Sequence, residues 1–248
     1  MQQYFNVFLE FDHALFYSNI ESTIKNNSKG YICVVDANVL AMAQKNLPYQ
    51  QVLNEALINS CDGSSIAMMA SWAHHQTFRA LNGPEIFEYY IEKNYTQLLL
   101  GSTPEITDRI KEVLVKKKLN TAHLQTLSLP FVPVQNFDYQ LIAAQINSIA
   151  PDIIWVSLGA PKQEIFMNRI LPFLDRGVMV GIGAAFNFYI GELNIPRFKI
   201  GGLKFIWVNR LFNEPQKLTK RLLPYIAMMP RLYFGERKKV KNTQSIPL

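Results

Sequence analysis

The chain has 248 residues, 49% hydrophobic and 18% charged, which supplies one sizeable core plus at most a small appendage and excludes a disordered or fibrous polymer. Two cysteines, Cys33 and Cys61, exclude a disulfide framework and a cysteine-based metal cluster, and they fit a reduced compartment. The net charge of +6 is uneven: residues 197–248 carry 12 Lys/Arg against Glu214 and Glu236, and the first 196 residues are net acidic, so an anionic partner is expected at the C-terminal end.

In chain order, the opening MQQYFNVFLEFDHALFY lacks the basic region and unbroken apolar run of a signal peptide. No stretch reaches the roughly 18–20 apolar residues of a spanning helix, so a soluble or peripheral protein is expected. Residues 1–30 carry no pattern with a readable role. YICVVD (31–36) reads as a strand followed by a helix, and SSIAMMA (64–70) is a second apolar run after the turn signal Cys61-Asp62-Gly63. Gly83-Pro84 opens a helical pattern, and TQLLLG (96–101) is a strand that leads through Ser-Thr-Pro into the helix EITDRIKEVLVKKK. A strand near His123–Thr126 and a helix in YQLIAAQINSI come next, then the strand DIIWVSLG (152–159), the helix PKQEIFMNRILPFLD and the strand GVMVGIG (177–183).

Continuous apolar strands alternating with helices predict an α/β fold, Rossmann-like, with a mostly parallel sheet covered by helices on both faces. Ligands in such sheets bind at the carboxyl ends of the strands. The composition shift near Pro196 divides an α/β core, residues 1–196, from a basic appendage, residues 197–248. The appendage reads as two or three short helices broken by Pro215, Pro224 and Pro230.

The chemistry is expected where strands end. In Leu158-Gly-Ala-Pro-Lys-Gln-Glu164, Gly159 permits a tight turn and Pro161 suits the first helical position. The backbone N–H groups and the positive dipole end there suit a diphosphate. Lys162 adds charge, and Gln163 is placed to hydrogen-bond a sugar or uracil edge. An ordinary turn between strand and helix explains the same residues. Leu100-Gly101-Ser102-Thr-Pro-Glu105 repeats the pattern of strand, glycine and proline-started helix. Gly181-Ile-Gly183-Ala-Ala-Phe186 begins like a dinucleotide fingerprint, with Phe where the third glycine belongs.

Asp62 follows an apolar segment and is expected at a sheet edge facing a cleft, where a carboxylate can act as general base. A turn aspartate bonding its own backbone is the plainer account. Asp36 and Asn38 end the first strand, as active-site groups or as a helix cap. The adjacent pair His74-His75 does not converge on one ion, so no metal site is read there.

The ordered set VVDANVLAMA (34–43), Asp62-Gly63, Arg79-x-x-x-Gly83, LLLGSTPE (98–105), VSLGAPKQE (156–164), GIGAAFNFYIGE (181–192) and GLKFIWVNRLFNEPQKLTKR (202–221) resembles the WecG/TagA/CpsF family of glycosyltransferases. The resemblance implies an inverting, metal-independent transferase without cofactor. It implies a UDP-sugar donor and a polyprenyl-diphosphate-linked sugar as acceptor, in bacterial cell-surface polysaccharide synthesis. It further implies that Asp62 is the base, that Asp36 and Asn38 are a polar strand-end pair, and that Arg79 faces the diphosphate. Gln163 and Glu164 lie in the family's Pro-Lys-Gln-Glu segment, and Gly183 and Asn187 in its glycine-rich one. The appendage is expected to close over the site and offer Arg210, Lys217 and Lys220, with Arg221 adjacent. Asp36 stands where the family usually has Thr, which puts a carboxylate close to the donor. Asn187 stands where it usually has Asp, which removes a candidate acid.

The appendage also suits docking on the cytoplasmic face of the inner membrane. Leu203, Phe205, Ile206, Trp207, Leu211 and Phe212 would anchor it, and its bases would face anionic headgroups rather than nucleic acid. The same apolar residues fit a subunit interface, so a homo-oligomer stays open. Two other classes compete. A nucleotide-dependent oxidoreductase needs a glycine fingerprint after the first strand, which leads instead into Asp36-Ala-Asn38. A non-catalytic nucleotide-sugar or membrane-binding module of the same fold explains the basic end but leaves the polar strand ends idle.

Overall fold

The computed structural model describes residues 1–192, 199–200, 203–204 and 215–244. The chain begins with a hairpin, β1 (Gln2–Tyr4) and β2 (Val7–Leu9), followed by α1 (His13–Lys25). The Asp12 side chain caps α1 by accepting from the N–H groups of Ala14 and Leu15. Then come β3 (Lys29–Val35), α2 (Ala37–Lys45), α3 (Leu47–Asn54), β4 (Ile58–Cys61), α4 (Ser64–His74) and α5 (Gly83–Ile91). The order continues with β5 (Gln97–Leu100), α6 (Pro104–Lys116), β6 (Leu124–Leu127), α7 (Tyr139–Ile149) and β7 (Ile153–Val156). After these lie α8 (Lys162–Ile170), β8 (Gly177–Gly181), α9 (Ala185–Tyr189), the short antiparallel pair β9 (Lys199–Ile200) and β10 (Leu203–Lys204), and α10 (Pro215–Gln244).

Six strands form one parallel sheet in the order β4-β3-β8-β7-β5-β6. β4, β5, β7 and β8 are buried from end to end, and β3 beyond Lys29, because both faces are covered; the edge strand β6 buries only Leu124. Alternate residues serve two cores: Tyr31, Cys33, Val35, Ile154, Val156 and Met179 pack on one face with α2, α3, α4, α7, α8 and α10. Ile32, Val34, Ile153, Trp155, Val178 and Val180 pack on the other with α1, α5, α6 and α9. The Rossmann-like architecture expected from the sequence is the one observed.

Two buried side-chain amides in the sheet are fully engaged, as burial favours. Gln97 accepts from Trp155 Nε1 at 2.8 Å and donates to the carbonyls of Tyr90 and Lys93. Asn59 accepts from the N–H of Cys33 and donates to the carbonyls of Phe8 and Leu53.

SSIAMMA, the apolar run after the turn signal, is the body of α4, and the strand before Asp62 is the polar-looking Ile58-Asn-Ser-Cys61, which the sequence did not mark. The basic end forms one helix through Pro224 and Pro230, where a set of short helices was expected. Each proline removes one backbone donor. Packing offsets that cost: Tyr225, Leu232 and Glu236 are buried on the core side of α10, which lies against α2 and α4. The boundary at Pro196 lies outside the described residues, and Pro161 sits at the capping position of α8, one residue before the first helical position expected for it.

Candidate active site

The carboxyl ends of the parallel strands face one edge of the sheet. The chain leaves β5 toward β6 and leaves β7 the opposite way toward β8, with α6 and α8 on opposite faces. Connections that diverge like this mark the point where the strand order reverses, the usual place for a ligand in such sheets. The two glycine-containing loops singled out in the sequence, 101–103 and 157–161, lie at that point. Gly101 has φ +81°, and a Cβ there would lie 2.6 Å from Leu158 Cδ2. Glycine therefore serves both the left-handed backbone and the close approach of the two loops. Ser102 follows it in the same loop. Ser157 N–H donates to the carbonyl of Leu100, joining the two strand ends.

Gly159, with φ +74°, turns the chain into α8. Pro161 is exposed, and the Lys162 ammonium lies 4.9 Å from the Phe137 ring centre and 5.5 Å from that of Phe131, which is fully exposed. Gln163 is buried, so its amide meets the loops rather than open solvent. Its Oε1 accepts from the N–H groups of Gly159 and Gly183, each at 3.2 Å, and its Nε2 donates to Glu164 Oε1 at 2.8 Å. Glu164 is buried too, and its other oxygen accepts from the Tyr49 hydroxyl at 3.1 Å. Burial pushes the Glu164 carboxyl up to about 7, against hydrogen bonds from Gln163 and Tyr49 that favour its charge; Asp36 adds to the rise.

A second group gathers at the β3–β4 edge. Val35 and Cys61 are paired in register, so Asp36 and Asp62 continue adjacent strands side by side, about 5 Å apart at strand spacing. Asp62 N–H donates to the carbonyl of Val35. Asp36 caps α2, its carboxylate accepting from Val39 N–H at 2.8 Å, and Asn38 sits half-buried in the first turn. Leu81 N–H donates to the carbonyl of Cys61, which brings the 77–82 loop over the end of β4 with Arg79 exposed on it. Above this edge, α10 contributes Tyr225, whose hydroxyl lies 3.1 Å from that of Ser65. Burial pushes the Tyr225 phenol up to about 12, and Cys61 and Asp36 are close enough to add to the rise.

Of the other expected residues, Asn187 lies in the short helix α9, and its amide donates to Glu192, which pairs with Arg109. Lys217, Lys220 and Arg221 fall in the first two turns of α10, where the backbone alone is described, and Arg210 lies outside the described residues. His74 is the residue whose part the sequence left blank. Its Nε2 lies 3.0 Å from Glu236 of α10, whose second oxygen accepts from Phe5 N–H in the hairpin turn. A histidine on a helix with an acid 162 residues later carries no sequence signal.

Fold and site together define a Rossmann-like α/β protein with polar strand ends grouped on one sheet edge. Residues 7–243 match the glycosyl transferase WecG/TagA/CpsF family, and the chain belongs to that family. Two relatives, from Bacillus subtilis (strain 168) and Bacillus spizizenii (strain W23), are each named N-acetylglucosaminyldiphosphoundecaprenol N-acetyl-beta-D-mannosaminyltransferase. The first is 25% identical, covering 92% of this chain and 90% of the relative. The second is 23% identical, covering 87% and 84%.

Proposed function

We propose that the protein transfers a sugar of the N-acetylhexosamine class from a UDP-sugar to a sugar linked to polyprenyl diphosphate. The observation that carries this is the side-by-side placement of Asp36 and Asp62 at the ends of β3 and β4, in a chain whose relatives are named as N-acetylmannosaminyltransferases of N-acetylglucosaminyldiphosphoundecaprenol. In this reading the UDP lies along the carboxyl edge, its diphosphate near the loops after β5, β7 and β8. The anomeric carbon is joined to the β-phosphorus through one oxygen, so the sugar end of the diphosphate lies at the loop after β8, two strand spacings or about 10 Å from the end of β4. The acceptor hydroxyl with the Asp62 side chain would fill that gap.

Asp62 then takes the proton from the acceptor hydroxyl. The oxygen forms its bond to the anomeric carbon as the carbon–oxygen bond to UDP breaks, in a single displacement that inverts the centre. The departing diphosphate gains negative charge, which helix N-termini and the cations Arg79, Arg210, Lys217, Lys220 and Arg221 would offset. Those cations take the part a divalent metal plays in other transferases, so EDTA leaves the rate unchanged. The site works at the cytoplasmic membrane surface, where the acceptor's lipid holds it. The core of residues 1–196 carries the chemistry, and residues 197–248 dock and close over it.

The test is incubation of the full-length protein with a panel of UDP-sugars, UDP-N-acetylmannosamine included, and a polyprenyl-diphosphate-linked N-acetylglucosamine acceptor. Mass spectrometry should find the lipid product heavier by one sugar from one donor, with and without EDTA. A folded, vesicle-bound protein that binds UDP but yields no product from any pair would contradict the reading and point to a non-catalytic family member.

A further inference from the structure

The Gln163–Glu164 pair does more than fill the core. A glutamine amide has two ends of nearly equal shape, so its surroundings decide which end points where. Gln163 Oε1 meets two backbone donors, Gly159 N–H from the loop after β7 and Gly183 N–H from the loop after β8. With the amide reversed, its NH2 would face those donors and its oxygen would face a carboxyl oxygen. Glu164 Oε1, 2.8 Å from Nε2, selects the observed orientation. The carboxyl is itself aimed by the Tyr49 hydroxyl, which comes from α3 across the helix pair. A third link, Ser157 Oγ donating to the Gly183 carbonyl at 2.8 Å, joins the same two loops.

We propose that Glu164 is a positioning residue, whose carboxyl holds the Gln163 amide so that one oxygen ties together the two loops that receive the donor's diphosphate. The clause about the donor rests on the transferase reading; the tie between the loops does not. Neither residue touches the substrate in this account. Glutamine at 164 preserves the arrangement, because its oxygen accepts from Gln163 Nε2 and its amide donates to the Tyr49 oxygen. Alanine does not.

The experiment measures amide hydrogen exchange at Gly159 and Gly183, and donor KM and kcat, in wild type, Glu164→Ala, Glu164→Gln and Tyr49→Phe. Glu164→Ala should speed exchange at those two amides by about tenfold or more while amides inside β3 and β8 keep their protection. It should raise donor KM by a similar factor, the usual scale of effect when a loop shifts off its working geometry. Glu164→Gln should stay within about threefold of wild type in both readouts. If Glu164→Ala does not fold, Tyr49→Phe should move both readouts in the same direction to a smaller extent. Unchanged exchange at Gly159 and Gly183 in the variants overturns the tie. Faster exchange with an unchanged KM overturns its part in donor binding. If wild type makes no product, the transferase reading fails, and the exchange data still decide whether the tie exists.

Discussion

Glu164 makes the protein's stability depend on pH. A carboxyl with an ordinary value near 4.5 and a folded value of about 7 keeps its proton in the folded state over a range where the unfolded chain has lost it. Stability from this group is therefore full below pH 4.5 and is lost as pH rises through 7, by roughly 3 kcal/mol in all. Chemical denaturation of wild type and Glu164→Gln between pH 4.5 and 8 should show that slope in the first and its absence in the second. The glycines make a second contrast. Gly101→Ala meets both a left-handed backbone and Leu158 Cδ2, so it should cost about 1–3 kcal/mol and weaken donor binding. Gly159→Ala has nothing within 4 Å of the new methyl, so only the backbone penalty of about 1–2 kcal/mol remains. Thermal melts of the two variants separate the terms.

At the scale of elements, the C-terminal helix is held to the core by a three-part contact. Glu236 on α10 reaches His74 on α4 and the N–H of Phe5 in the β1–β2 turn, all buried or nearly so. His74→Ala leaves a buried carboxyl short of one partner, which should cost about 1–3 kcal/mol. Limited proteolysis should then cleave within 215–244 sooner than in wild type. This contact gives the N-terminal segment its structural part, and the sequence hid it, since Phe5, His74 and Glu236 pair over separations no periodicity marks. The helices opened by Gly83-Pro84 and by Ser102-Thr-Pro104 were legible because cap residues and apolar spacing agree there. So were the strands β3, β5, β7 and β8, whose apolar runs are continuous. β4 was not, because Asn59 and Ser60 look like a turn until Asn59 is seen binding three backbone groups in the core. The prolines of α10 misled for the opposite reason: local propensity argues for a break, and the buried face of the helix outweighs it. At the site, the motifs placed Asp36 and Asp62 on strand ends; the inward direction of Gln163 needed the neighbouring loops.

For the molecule as a whole, the described surface offers one face suited to a bilayer. No described helix is long and apolar enough to cross a membrane. Leu223, Ile226 and Phe234 nevertheless stand exposed along α10, with Arg231, Lys238 and Lys241 exposed on the same helix. Trp72 is exposed on α4, against which α10 packs. Only the backbone of Leu203 is described among the anchors expected from the sequence; Phe205, Ile206, Trp207, Leu211 and Phe212 lie outside the described residues. In the proposed reading, this helix would bind an anionic interface both by apolar insertion and by charge. Ile226→Asp with Phe234→Asp should abolish most sedimentation with phosphatidylglycerol vesicles, and high salt alone should weaken it only in part. Such a surface would hold the acidic strand ends close to a lipid-linked acceptor. In the proposed reaction Asp62, at the end of β4, removes the acceptor's proton. Single-turnover transfer by wild type and Asp62→Asn, with UDP affinity measured on the same samples, decides whether it does. Asp62→Asn should lose about a hundredfold or more in the transfer rate with UDP binding and folding retained. Transfer by Asp62→Asn at close to the wild-type rate would contradict that role and move the base to another group on the same edge.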